Sequence, residues 1–429
     1  MKKTRRVVAL GALGMVGVLA LAGCGRADDA PTGSDAPSAQ ALDDGPATGE
    51  ITIWAMGEEG ENLGDFSESF TKANPDAKIT VTTIPWADVM TKYQTAVAAG
   101  TVPDAIMIGS SLLPSMVAAG GLAPVPDGVV DESTLNPTAA ESTQVDGASY
   151  AVPWYVETRV LYYRSDLAEK AGLSAPTSWE ELTDFAKGFT DAGAAHGIQL
   201  PMGDAEDSTQ VILPFYAQAG GEVLNSAGDA YAWDHDALVS ALEYYASFFT
   251  DGLAPLSGYG DSQTAAFTDG SNPAFISGPW MVSVLADMKD ADWVAQNVAT
   301  VPVPAGAANN DSYLGGGHLG VFADAKNADG AWKFIKWLSQ ADTQKAWFDL
   351  TSDLPAVTSV LDAEPYTSDA RISVLNDQLE NTVAPPSVPS WDEMSAFIET
   401  EAEKVANGSS ADAAASAIEA KAESLGTGW

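Results

Sequence analysis

The chain has 429 residues, with 20 lysines and arginines against 59 aspartates and glutamates, a formal net charge of −39 and a single cysteine. That length allows two or three domains with sizeable cores, and the charge balance repels nucleic acid and anionic lipid. One cysteine permits no internal disulfide and no thiolate metal cluster, and three histidines without H-x-x-x-H spacing argue against a zinc site.

In chain order, Lys2, Lys3, Arg5 and Arg6 precede an uncharged run from Val7 to Ala22 rich in Gly and Ala. This is the order of a secretory signal peptide, and the run is short for a membrane span of about 20 residues. It ends in Leu21-Ala22-Gly23-Cys24, which resembles the lipobox of bacterial lipoproteins. The resemblance implies cleavage after residue 23 and diacylglyceryl transfer to Cys24; an ordinary buried free cysteine is the alternative. From Gly25 to Gly49 the chain is mostly Ala, Asp, Gly, Pro, Ser and Thr, too poor in large apolar residues to order itself. Residues 1–23 therefore read as a lipoprotein signal peptide and 24–49 as a lipidated cysteine with a disordered tether.

From Glu50 short apolar strands alternate with amphipathic helices, the signature of βαβ units on a largely parallel sheet. Strands are predicted at Ile51–Trp54, Lys78–Ile84 and Ala105–Ile108. Between them lie a helix through Leu63, Phe66 and Phe70 ending at Asn74-Pro75, and a helix through Val89, Tyr93 and Val97 ending at Gly100. The helix after the third strand stops at Gly120-Gly121. Tyr150 to Tyr163 contains two extended pieces around Pro153, and Thr177 with Glu180 forms a capping box. Further expectations are a helix over His235–Asp251, strands at Ala274–Ser277 and Val298–Val303, and helices within Ala328–Leu350. A helical tail runs from Trp391 to Leu425 with a break at Asn407-Gly408.

Catalytic signatures are mostly missing. Gly315 to Gly320 satisfies G-x-G-x-x-G, but Val321 to Ala323 look extended, so no helix N-terminus stands ready for a pyrophosphate. Ser69-Phe70-Thr71-Lys72 matches S-x-x-K without a partner K-T-G, and neither G-x-S-x-G nor a Walker A loop occurs. A glycosidase needs only two carboxylates, and 59 acidic residues supply many candidates. More distinctive is tryptophan beside turn residues at predicted strand ends: Trp86, Trp154, Trp280 and Trp391. An indole face covers the apolar face of a pyranose ring; for each residue taken singly, a core role is an equal alternative.

Several passages together give the chain a wider resemblance. They are "ITIWAMGEEGENLGDFSESFTKANPDAKITV", "VAAGTVPDAIMIGSS", "YAVPWYVETRVLYYRSDLAEKAGL", "FISGPWMVSVL", "SYLGGGHLGVF" and "PSWDEMSAFIETEAEKVANG". In this order they resemble the extracellular solute-binding lipoproteins of carbohydrate ABC transporters, the group that includes maltose-binding proteins. The resemblance implies an α/β, two-lobed periplasmic-binding-protein-like fold of type II, each lobe a mixed sheet flanked by helices, with the ligand cleft between lobes. Lobe 1 would comprise 50–157 and 301–353, and lobe 2 would comprise 158–300 and 354–429, with crossings near Thr158, Val301 to Pro304 and Leu354-Pro355.

The resemblance also implies a ligand-binding set of Glu58, Trp86, Ser110, Ser111, Trp154, Tyr155, Glu157, Arg159, Asp204, Trp280, Tyr313, Gly316, His318 and Trp391, with Glu59 beside the first. Glu157 and Arg159 could instead pair with each other, and His318 could be a satisfied buried histidine. Implied partners are a carbohydrate ligand and permease subunits with a separate ATPase, with no cofactor, no metal and no nucleic acid. The expected product is a monomer, lipid-anchored to the outer face of the bacterial cell membrane. A surface glycoside hydrolase or other polysaccharide-modifying lipoprotein is the alternative, and a cell-wall scaffold or adhesin a third reading.

Overall fold

A computed structural model describes residues 42–429 apart from 44, 146, 204, 258–260, 364, 365, 367 and 368. Cys24, the expected signal peptide and Asp204 lie outside the described residues. Among the described residues no helix is long and apolar enough to cross a membrane.

Two sheets organise the chain. The larger has seven strands, with Leu354–Pro355, Val152–Thr158, Ser312–Val321, Ala105–Gly109, Gly49–Met56 and Ala77–Ile84 in spatial order, and Thr382–Val383 paired to the start of Ser312–Val321. Gly49–Met56, Ala77–Ile84 and Ala105–Gly109, the first three in chain order, run parallel and are joined by helical crossovers, as the alternating pattern from Glu50 predicts. Ser312–Val321 then enters antiparallel between Ala105–Gly109 and Val152–Thr158, making the sheet mixed. The smaller sheet has three antiparallel strands, Ala274–Ser277, Val160–Arg164 and Val298–Val301.

The last residues of the expected tether are packed against the body of the chain. Ala47 is buried, and its N–H donates to the Asn74 side chain at 2.9 Å. The predicted first helix is two helices, Gly57–Phe66 and Glu68–Ala73, which meet at Ser67. Gly100, at φ 62°, closes the helix Val89–Ala99 in a left-handed cap that glycine adopts without Cβ strain. The capping box lies one residue later than expected: Ser178 Oγ accepts from Glu181 N–H, and the Glu181 carboxylate accepts from Thr177 N–H at 2.8 Å.

The extended region 150–163 breaks at Arg159, not at Pro153. Thr158 still pairs with Leu314 in the large sheet, whereas Val160 pairs with Ser277 in the small one, so the chain changes sheets at Arg159. Pro153 is accommodated opposite His318, beside the register shift that separates it from Tyr155 opposite Gly317. Val298–Val301 is shorter than expected, because Val303 N–H is taken by the Gln378 side chain at 3.0 Å. The chain rejoins the large sheet only at Ser312.

Apolar burial follows these sheets. One core packs Ile51, Ile53, Ile106, Leu319 and Val321 against Trp332 and Ile335. A second joins Leu182, Phe185, Phe215, Tyr245 and Phe249 to Met394, Ile398 and Ile418 of the helices Trp391–Ala406 and Ala411–Leu425. A third surrounds Tyr162, Phe275, Leu285 and Tyr366. Distant segments meet where Ser115 Oγ donates to Pro389 O at 2.8 Å, and where Ser283 Oγ donates to Glu58 Oε1 at 3.3 Å.

Candidate functional site

Between these contacts lies a cavity of about 850 Å³. Gly57 to Glu59 and Trp86 form one wall, at the ends of the first and second strands. Ser110 and Ser111 follow the third strand in a single tight turn, Ser110–Leu112. The strand Val152–Thr158 contributes Tyr155 and Glu157, with Arg159 at the sheet change. Gly203, Thr209, Gln210, Trp280 and the first turn of Trp391–Ala406 close the far side.

The charged centre is tightly built. Arg159 Nη2 lies 3.3 Å from Glu157 Oε1, and the same nitrogen donates to the Gln210 side-chain oxygen. The guanidinium lies over Trp280, 4.4 Å from the ring centroid, so one indole face is covered by a cation. Gly278 permits this stack, since a Cβ there would fall 2.1 Å from the Trp280 ring and 2.5 Å from Arg159 Nη1. Across the cavity the Tyr155 hydroxyl donates to Glu59 Oε1 at 2.5 Å.

The glycine run Gly315 to Gly317 is a strand that lets these side chains lie flat. A Cβ on Gly315 would meet Glu157 Oε1 at 2.5 Å, and one on Gly317 would meet the Tyr155 ring at 2.3 Å. Gly316, at φ 154°, would press a Cβ to 2.5 Å from the Tyr155 carbonyl oxygen. The motif that resembled a phosphate loop is therefore a floor cut for its neighbours.

Burial shifts the acids. Desolvation pushes Glu58 up to about 7 against a hydrogen bond from Ser283, and pushes Glu59 up to about 7 against the bond from Tyr155. Glu157 is also raised by burial, with Arg159 pulling it back. Asp353, held by Trp347 Nε1 at 3.0 Å, is raised well above the carboxylate range by burial and then by the neighbouring Glu59 charge.

Most of the residues implied by the sequence meet at this cavity: Glu58, Glu59, Trp86, Ser110, Ser111, Tyr155, Glu157, Arg159, Trp280, Tyr313, Gly316 and Trp391. The alternatives for Glu157 and Arg159 merge, since both line the cavity and pair with each other. Two residues stand elsewhere. Trp154 is core: it is the extra residue at the register shift between Pro153 and Tyr155, its side chain is buried, and it is not among the residues that line the cavity. Its ring packs 4.6 Å from that of Trp347. His318 is buried beside a separate small cavity, bonded through Nε2 to Ser142 Oγ at 3.1 Å, and burial lowers its imidazole to about 4, leaving it neutral. Cavity residues the sequence reading missed include Thr209, Gln210, Asp392 and Glu393. Asp392 and Glu393 directly follow Trp391, an adjacency that could have signalled them; Thr209 and Gln210 carry no such mark.

This arrangement of aromatic faces, carboxyls, amide and hydroxyls in one cavity suits a neutral polar solute with apolar faces. A family model of bacterial extracellular solute-binding proteins matches residues 66–373. The chain belongs to that family. This solute-binding protein is 24% identical over 369 residues to the galactooligosaccharide-binding protein of Bacillus subtilis, covering 84% of this chain and 85% of the relative. It is 27% identical over 347 residues to the diacetylchitobiose binding protein of Streptomyces coelicolor, covering 78% and 77%. Among solved structures it resembles the GacH receptor of Streptomyces glaucescens, studied unliganded and with acarbose, with a TM-score of 0.81, 27% identity and coverage of 88% and 98%. It also resembles the sugar-binding protein MalE of Xanthomonas citri, with a TM-score of 0.73, 28% identity and coverage of 88% and 97%. The fold is thus the two-lobed α/β architecture of these binding proteins.

Proposed function

We propose that this solute-binding protein captures an oligosaccharide in the cavity and delivers it to the permease of an ABC importer powered by a separate ATPase. The observation that carries the reading is the Trp280 ring, backed by Arg159 on one face at a cavity shared by Trp86, Glu157 and Gln210. Indole faces stack on sugar C–H surfaces while charged and amide groups bond the hydroxyls, each such bond contributing about 1.5 to 3 kcal/mol when charged. The relatives named for galactooligosaccharide, diacetylchitobiose and maltooligosaccharide support the sugar class. A relative in Streptococcus pneumoniae named a solute-binding lipoprotein supports a lipid anchor at Cys24 and a place outside the cell. We read the lobes as the large-sheet and small-sheet halves, exchanging chain near Thr158, Ser312 and Leu354.

A thermal-shift screen with maltotriose, diacetylchitobiose and galactobiose tests this. A sugar at about 100 times its Kd stabilises the fold by about 2.7 kcal/mol. Recovery of the sugar intact supports a receptor; new reducing ends would make the chain a hydrolase, and no shift with any neutral sugar would end the reading.

A further inference from the structure

Two helices begin at the cavity wall. Gly57–Phe66 brings Glu58 and Glu59 in its first turn, Trp391–Ala406 brings Asp392 and Glu393, and all four residues line the cavity. Neither helix is capped by the side chain of the residue before it. A helix N-terminus is ordinarily a seat for an anion, because its free N–H groups and its dipole favour negative charge. At this cavity both seats are already answered by the carboxyl groups of the helices' own first turns.

Positive charge is equally committed. Among the described residues that line the cavity, Arg159 is the one cation. Its Nη1 lies 3.3 Å from Glu157 Oε2 and its Nη2 3.3 Å from Glu157 Oε1, both side chains being buried. Nη2 also donates to Gln210, and the flat face of the guanidinium covers Trp280 at 4.4 Å. Lys421 is held by Glu393 at 2.5 Å. Lys92 follows the lining residue Thr91 in sequence, but it is exposed and does not line the cavity. On the negative side, Glu58 Oε2 is buried without a hydrogen-bond partner, and Glu58 Oε1 accepts from Ser283 Oγ at 3.3 Å.

We propose that the cavity sorts saccharides by charge, taking those whose polar groups are hydroxyls or amines and turning away those that bear a carboxylate, sulfate or phosphate. The inference rests on the cavity being the sugar site and adds which sugars it takes. Carboxyl oxygens accept hydrogen bonds from sugar O–H groups, and they bond a protonated amine more strongly still. An acidic group entering from water loses its hydration, finds no unpaired cation and meets carboxyls of its own sign. To reach the Arg159 guanidinium it would have to break the pairing with Glu157, leaving a buried carboxylate alone. Protonation of Glu58 or Glu59, both raised to about 7 by burial, removes a negative charge without supplying a positive one, so the rejection holds at neutral pH.

Titration calorimetry of the full chain at neutral pH compares maltotriose, diacetylchitobiose and galactobiose with two sets of counterparts. In one set the C6 hydroxymethyl groups are oxidised to carboxylates; in the other they are replaced by aminomethyl groups. For the sugar that binds, the carboxylate counterpart should be weaker by about 100-fold or more, and the amine counterpart should match its parent within about threefold or exceed it. Glu157→Gln, which releases Arg159 from its ion pair, and Glu58→Gln, which puts an amide donor in the wall, should each narrow the carboxylate penalty about tenfold. A carboxylate counterpart as tight as its parent, an amine counterpart more than about tenfold weaker, or a penalty that neither substitution changes overturns the sorting and leaves the sugar reading standing. A second arm uses no sugar. The tryptophan emission lost in Trp86→Phe reports the cavity, and that lost in Trp429→Phe reports an exposed indole. The ratio of caesium to iodide quenching should be about fivefold or more higher for the cavity component, and equal ratios overturn the proposal. If none of the three parent sugars binds, the sugar reading fails, and the quenching ratio still decides whether the cavity excludes anions.

Discussion

Trp154 and Trp280 each follow a proline, yet the fold gives them opposite roles. Trp154 joins a dry aromatic slab, its ring 4.6 Å from Trp347, which in turn stands edge-on to Phe66 at 4.9 Å. Trp280 lies half-buried at a cavity with a guanidinium on one face. Residue type decides neither role. What separates them is the company each keeps: an indole among aromatics contributes burial, whereas an indole held by a paired cation keeps a position that a solute can use.

Four substitutions and two pH profiles break or sharpen that contrast. Trp154→Ala should cost about 3 to 5 kcal/mol of stability, lowering the melting temperature by about 5 °C in calorimetry, while the folded fraction keeps its sugar affinity within a few-fold. Arg159→Ala leaves Glu157 buried without its cation and should cost about 3 kcal/mol; adding Glu157→Gln should recover most of that stability but not the binding. Trp280→Ala should leave stability within about 1 kcal/mol yet weaken sugar binding by about 10- to 100-fold in titration calorimetry. Should Trp154→Ala weaken binding more than Trp280→Ala, the contrast is wrong.

Smaller effects come from titration. Glu58 and Glu59 sit near 7 when folded against an ordinary 4.5, so the folded chain binds more protons than the unfolded chain between those values. Stability should accordingly fall as pH rises from about 5 to 7, by a few degrees in melting temperature, and Glu59→Gln should flatten the slope. The smallest effect is at the half-buried His235, raised by the hydrogen bonds it donates to the Glu419 carboxylate at 3.1 Å and the Asp412 carboxylate at 3.3 Å. Its contribution is full below the ordinary 6.5 and fades as pH rises through the raised value. His235→Ala should remove that slight slope from the same melting series.

Punctuation residues made much of the fold legible. Asn74-Pro75, Gly100 and Asn407-Gly408 mark helix ends that the structure keeps, because proline, left-handed glycine and a lost helical pattern act within a few residues. Pro153 misled for the opposite reason: a proline tolerated at a register shift leaves no local sign that the sheet partner absorbs it. At the site, the tryptophans and the Glu157-Arg159 pair could be found by type. Gln210 could not, because its importance comes from a partner 51 residues away.

The sequence by itself determined the alternation of strands and helices, the acidic balance and the supply of aromatics and carboxyls, since these follow from local periodicity and composition. Only the tertiary structure decided which indole faces a solute and which acid keeps a proton. Those outcomes depend on which face of Val152–Thr158 meets the cavity and on how closely Gly315 to Gly317 let Tyr155 and Glu157 approach, and both are set by pairing between strands far apart in the chain.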